Sequence, residues 1–180
     1  MTSPLSGVTQ LLKLPVTDST QTVARFLASE GAPAGTLVWA QRQTAGRGRR
    51  ERKWASPAGN LYFSWILRPR CSPERLGELG LAAARAVAQA LEGLSGARFA
   101  VKPPNDVYAF EKGKPKKIAG ILAEASGTES GLDWLVLGVG VNVNVKPPVA
   151  KATSLSAVTG RQWELESVLA ALLQSLIRKV

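Results

Sequence analysis

No histidine occurs anywhere in the 180 residues, and there is a single cysteine, Cys71. Without histidine the chain cannot run a Ser-His-Asp triad or any mechanism that uses an imidazole base, and most metal sites lose their usual ligand. A lone thiol rules out an internal disulfide framework and a cysteine-rich zinc site. Long apolar runs are also missing. Residues 134–141, the longest candidate, are interrupted by glycine and fall far short of the roughly 20 residues that span a bilayer. Residues 1–9 have neither the basic start nor the apolar stretch of a signal peptide, so the expectation is a cytoplasmic protein with no membrane association.

Acidic side chains are scarce relative to basic ones: 13 against 23, a formal net charge of +10. Such an excess points to anionic partners, whether nucleic acid, phosphate compounds or an acidic protein surface; part of it can equally serve solubility. Apolar residues make up 45%, enough for one domain with a real core.

Periodicity divides the chain. Residues 11–14 suggest a short strand. Asp18, Ser19 and Thr20 offer caps for a helix over 21–30, with Val23, Phe26 and Leu27 on one face and Gly31 at its end. Strands are expected over Thr36–Gln43 and 60–67, separated by an aperiodic loop over 44–59. Ser72 and Pro73 open a helix that runs to about Glu92. Short strands follow at 99–101, 107–110, 118–125 and 134–143, and a last amphipathic helix covers about 163–179. The order predicts an α+β fold, a mainly antiparallel sheet with helices packed on one side.

Five runs could carry chemistry. Gly46-Arg47-Gly48-Arg49-Arg50-Glu51-Arg52-Lys53-Trp54 combines glycines that permit close approach, guanidinium forks matched to carboxylate and phosphate, and an indole that can cover a ring. By itself it is equally a disordered basic loop or a nucleic-acid tether. Lys102-Pro103-Pro104-Asn105-Asp106 presents polar groups rigidly, though alone it is more simply a turn. Lys117 heads an apolar strand and is followed by Gly120; an isolated lysine there usually guards a sheet edge. Gly138-Val139-Gly140-Val141-Asn142-Val143-Asn144 lacks the third glycine and the helix of a dinucleotide fingerprint. Glycines inside a strand mark close approach of another backbone or a ligand, or merely a bulge. Asp18-Ser19-Thr20-Gln21 can cap a helix or hold a polar head group.

Taken in order, these runs resemble the catalytic domain of biotin–protein ligases. The resemblance also covers Gln43-Thr44-Ala45, Ser56-Pro57, Gly59-Asn60-Leu61-Tyr62, Lys117-Ile118-Ala119-Gly120-Ile121-Leu122 with Glu124, and Ala152-Thr153-Ser154-Leu155. It implies a class II synthetase-like, biotin–lipoate ligase-like fold. It also implies an enzyme that forms biotinyl-5'-adenylate from biotin and ATP with Mg2+, releasing pyrophosphate. The biotinyl group then passes to a lysine of the biotin carboxyl carrier protein of a biotin-dependent carboxylase, releasing AMP.

By the same resemblance Ser19, Thr20, Gln21 and Gln43 contact the biotin ring system. Arg47 and Lys117, the expected catalytic pair, contact the carboxylate and the adjoining phosphate. Gly48 and Gly120 let the ligand pass closely. Arg49, Arg52 and Trp54 close over the adenylate, with Arg49 also on the biotin side. Lys102, Asn105, Asp106 and Asn142 face the nucleotide, with the protein ligands of Mg2+ unassigned.

The chain departs from the family pattern at Pro103, where tryptophan is usual, and at Glu51, where glycine is usual and where a carboxylate could pair with a neighbouring arginine. The expectation is one catalytic domain over 1–180. Without an N-terminal helix-turn-helix it has no sequence-specific DNA-binding role, and it also lacks the C-terminal β-barrel of many members. A homodimer is compatible with the resemblance. The alternatives that stay open are a lipoate or octanoate transferase, a basic nucleic-acid module and a ligase that binds biotin but turns over poorly.

Overall fold

In the computed structural model, which describes residues 5–180, one seven-stranded sheet carries the whole chain. β1 (Gln10–Thr17) leads into α1 (Thr20–Ser29), which crosses over to β2 (Thr36–Gln43). β1 and β2 pair in parallel; every other pair is antiparallel. β3 (Leu61–Leu67) follows the long loop, then α2 (Leu76–Ser95) leads to the meander β4 (Phe99–Lys102), β5 (Asp106–Glu111), β6 (Lys114–Thr128) and β7 (Gly131–Val141). The short α3 (Leu155–Thr159) and then α4 (Leu165–Leu176) close the chain. Strand order is β1-β2-β3-β7-β6-β5-β4, so β7 returns to the centre beside β3.

Local signals explain the helix ends. The Ser19 hydroxyl accepts from the Gln21 N–H at 3.3 Å and caps α1. Ser72 caps a single 3-10 turn, Pro73–Arg75, that feeds α2, and Gly96 ends α2 at a φ of 69°. α3 is absent from the periodicity reading because five residues are too few to show a period.

Strand alternation sends side chains to two faces. Leu37, Trp39, Leu61, Phe63, Trp65, Leu137 and Val139 pack against α2 and α4 in the large core. Each buried side chain of this kind contributes roughly 1.5–3 kcal/mol, so this layer dominates stability. Val38, Ile66 and Val136 point the other way, onto Ala24 and Ala28 of α1. The α+β sheet is as expected, but the helices do not share one side: α1 covers the face opposite α2 and α4. A parallel β-α-β crossover places its helix by handedness, which hydrophobic periodicity does not report. α1 covers only part of its face, leaving a bare stretch of sheet around Tyr62, Ser64, Gly138, Gly140 and Gly120 as the floor of a cavity.

Candidate active site

Three glycines pave that floor. Gly120 and Gly140 are partners across β6 and β7, and Gly138 lies two residues along β7 on the same face. A Cβ on Gly138 would collide with Oε1 of Gln21. On Gly140 it would lie 2.7 Å from Nε1 of Trp54, and on Gly120 3.0 Å from its Cζ3. The glycine-rich strand is therefore a seat for Gln21 at one end and for the Trp54 indole at the other. Tyr62 borders the floor; burial pushes its phenol well above the usual range, and its O–H donates to the Pro57 carbonyl at 2.8 Å.

At the α1 end the polar groups are buried and mutually bonded. Oε1 of Gln43 accepts from the Thr20 N–H at 2.8 Å, and its Nε2 donates to Oγ of Ser56 at 2.8 Å. Oγ of Ser64 lies 2.9 Å from both Thr20 Oγ1 and Gln21 Oε1. The Gln21 amide donates to the Val136 carbonyl at 3.2 Å. Ser19, Thr20, Gln21 and Ser64 are all at least 95% buried. Such a network fixes which atoms donate and which accept before any ligand arrives.

The loop over 44–59 is folded rather than loose. Trp54 N–H donates to Gly46 O at 2.8 Å, Gly48 N–H donates to Arg52 O at 2.7 Å, and Arg47 and Lys53 form an antiparallel bridge. The result is a narrow ribbon with Arg49–Glu51 at its tip. Gly46 is required where it stands, because a Cβ would lie 2.5 Å from Trp54 O. At the tip Arg50 and Glu51 have φ of 52° and 60°, the left-handed region. Glu51 forms no ion pair among the described residues, so the expected arginine partner is not found; the backbone accounts for the preference for glycine there.

The ribbon carries its cations over the floor. Nη2 of Arg47 lies 3.5 Å from Oε1 of Glu124 on β6, and Arg49 reaches Oδ1 of Asn105 at 3.5 Å. Nζ of Lys117 pairs with Oδ1 of Asp106 at 2.7 Å and sits 5.2 Å from the centre of the Trp54 ring. The Asn105 amide donates to Ile121 O at 2.7 Å, which orients the Pro-Pro-Asn-Asp turn.

Ser19, Thr20, Gln21, Gln43, Arg47, Gly48, Arg49, Arg52, Trp54, Lys102, Asn105, Asp106, Lys117 and Gly120 all line this one cavity of about 390 Å³. Asn142 does not. It lines a second pocket of about 180 Å³, walled by Ala55, Tyr108, Pro147, Val149 and Ala152 and edged by Lys53 and Lys151. Lys53, Trp54 and Lys117 border both spaces, and the indole is the broad group between them. The Asn142 amide donates to Thr153 O at 3.0 Å, which leaves its Oδ1 buried and without a partner; Nε1 of Trp54 is in the same condition. Among the described residues these are the two buried orphan atoms whose residues line the second pocket.

Sequence reading named Gly138, Gly140 and Ser56 only within longer runs and gave them no individual role, and it passed over Ser64 and the apolar wall at Pro147 and Val149. Ser64 did carry a signal, as a small hydroxyl inside the otherwise apolar strand 61–67. Among the described residues no cluster of three metal-ligating side chains exists, and Asp106 is the sole carboxylate among the lining residues of either space.

A profile of the Biotin/lipoate A/B protein ligase family matches residues 14–142. The chain is 40% identical over 166 residues to the bifunctional ligase/repressor BirA of Bacillus spizizenii, covering 88% of this chain and 50% of that protein. It is 38% identical over 162 residues to the biotin–[acetyl-CoA-carboxylase] ligase of Paracoccus denitrificans, covering 85% of this chain and 65% of that one. The chain thus spans about half the length of the Bacillus relative and about two thirds of the Paracoccus one. The biotin protein ligase of Aquifex aeolicus, solved in complex with biotin and ATP, superposes with a TM-score of 0.80 at 38% identity, over 95% of this chain and 70% of that one. The Leishmania major enzyme, solved with biotinyl-5-AMP, superposes with 0.78 at 27% identity, over 93% and 73%. With its profile match running from β1 to the end of β7, and with the fold of solved biotin protein ligases, the chain belongs to the Biotin/lipoate A/B protein ligase family.

Proposed function

We propose that this chain activates biotin as biotinyl-5'-adenylate and transfers the biotinyl group to a lysine of a biotin carboxyl carrier protein. The observation that carries the reading is the pairing of two spaces across Trp54. One is polar at the α1 end and ringed by arginines; the other is apolar with one orphaned amide oxygen.

The ureido head of biotin fits the end where Ser19, Thr20, Gln21 and Gln43 offer fixed donors and acceptors. Its apolar ring and chain lie over Gly138, Leu122 and Gly120, and its carboxylate reaches Arg47 and Lys117. The adenine base takes the second pocket, where Oδ1 of Asn142 accepts from the exocyclic amino group. Arg49, Arg52, Lys102 and Asn105 surround the phosphates. Magnesium would enter with the nucleotide and would supply charge neutralisation on its phosphates; Asp106, paired with Lys117 at 2.7 Å, is the carboxylate of the lining that would hold it.

A carboxylate oxygen of biotin attacks the α-phosphorus, the bond to the β-phosphate bridge breaks, and pyrophosphate leaves with that electron pair. Both reactants are anions, so the chain contributes alignment and charge neutralisation, which need no histidine. The ribbon then screens the mixed anhydride from water until the acceptor amine attacks its carbonyl carbon and AMP departs. No helix among the described residues is long and apolar enough to cross a membrane.

The test is incubation with ATP, Mg2+, biotin and an apo carrier domain, reading pyrophosphate, AMP and carrier mass. Pyrophosphate release dependent on biotin, and a carrier gain of one biotinyl group, support the reading. Calorimetric binding of lipoate in place of biotin would overturn it. Sedimentation with and without biotin and ATP tests a homodimer.

A further inference from the structure

Glu124 stands on β6, four residues beyond Gly120 on the same face, just outside the cavity lining. One of its oxygens, Oε1, serves two guanidinium groups: Arg25 of α1 at 3.3 Å and Arg47 of the ribbon at 3.5 Å. The other oxygen is buried and has no partner. Arg47 is the sole side chain of the ribbon that forms an ion pair with the sheet among the described residues. Arg25 lines neither pocket.

We infer that Glu124 is a positioning residue for Arg47, and that Arg25 sets how strongly it holds. The inference rests on the proposed adenylation reaction and names a part of it that lies beyond the ligand contacts. A guanidinium has five N–H donors in a rigid fork. Glu124 engages Nη2 alone and leaves the remaining donors for an incoming carboxylate or phosphate. The carboxylate therefore does not compete with the ligand; it fixes one tine of the fork so that the others arrive aimed. Holding the arginine also holds the ribbon, whose backbone bridge runs from Arg47 to Lys53.

Because both arginines draw on one oxygen, they divide its hydrogen-bonding capacity. Removing Arg25 gives Arg47 the whole of it; Glu124→Gln leaves Arg47 only a neutral amide oxygen, a weaker acceptor for a guanidinium than the carboxylate. The two substitutions must push the ribbon in opposite directions, which a merely structural contribution of either residue would not do.

The experiment compares wild type, Glu124→Gln and Arg25→Met in two readouts. In the ligand-free protein, amide hydrogen exchange over 46–54 should quicken about threefold in Glu124→Gln and slow by a similar factor in Arg25→Met, the size of effect a half-exposed ion pair supports. With ATP and biotin, the adenylate should leave Glu124→Gln about threefold faster and Arg25→Met more slowly, while the biotin KM rises in Glu124→Gln and kcat changes less. Glu124→Asp, which keeps the charge on a shorter stem, should restore part of the protection.

Unchanged exchange in Glu124→Gln, or shifts of the same sign in both variants, would overturn the inference. If wild type forms no adenylate at all, the functional reading fails, while exchange in the ligand-free protein still decides whether Glu124 holds the ribbon.

Discussion

Gly140→Ala probes the partition between the two spaces. The new methyl carbon would stand 2.7 Å from Nε1, 2.8 Å from Cε2 and 3.1 Å from Cζ2 of Trp54, where ordinary contact begins near 3.4 Å. The indole must therefore lift by about 0.7 Å, and being a rigid fused ring it cannot fold aside. A gap of that order forfeits a quarter to a half of each lost dispersion contact. Overpacking at a tight site costs about 1–3 kcal/mol, which converts to roughly 5- to 150-fold in kcat/KM for ATP in the adenylation half-reaction. The assay is pyrophosphate release against ATP concentration at saturating biotin. The control is the same substitution in a Trp54→Ala background, where no ring remains to displace. There Gly140→Ala should cost no more than about 0.5 kcal/mol, so a double-mutant cycle isolates the contact. Equal losses in both backgrounds would refute the seat and point to a direct contact between Gly140 and ligand.

Lys117→Ala should abolish adenylate formation in a single-turnover assay, since it removes the cation beside Asp106 and the indole; rates near wild type would reject its assigned role. Glu51→Gly relieves a left-handed backbone at the ribbon tip, worth about 1 kcal/mol to the closed form, and should slow adenylate release measured by carrier chase; faster release would count against it. The Lys13 hydrogen bond holds the Glu166 carboxyl below its ordinary value across β1 and α4. A depressed carboxylate stabilises the fold above its unfolded pKa and loses that contribution as pH falls through the folded one. The denaturation midpoint of Glu166→Gln should accordingly lie below that of wild type near neutral pH, with the gap closing as pH falls below the ordinary carboxylate range. A gap that does not change with pH would assign it to packing.

Much of the candidate site was legible because its residues sit in runs with distinctive chemistry. Fourteen of the fifteen expected site residues border one cavity, although they come from α1, β2, the ribbon, the Pro-Pro turn and β6. Asn142 stands apart from the other fourteen, on the second pocket, for a physical reason. Strand parity puts residues 138, 140 and 142 on one face, but β7 ends at Val141 and the chain then turns toward Thr153. Parity stops informing once the strand stops. Ser64 escaped notice because a serine in an apolar strand looks like noise until Thr20 and Gln21 are seen above it. The side chosen by α1 escaped because crossover handedness is a property of three elements together, and no window of sequence contains it.

The ribbon that closes the site has a further consequence. Arg50, Arg52 and Lys53 stand at or beside its exposed tip, each a cleavage position for a trypsin-like protease. The two arms are joined to each other by a few backbone bonds between near neighbours, so opening them does not require the domain to unfold. Susceptibility to limited digestion at these positions therefore measures how often the cover is off. It reads that directly in a crude extract, without labelled substrate and without a carrier domain.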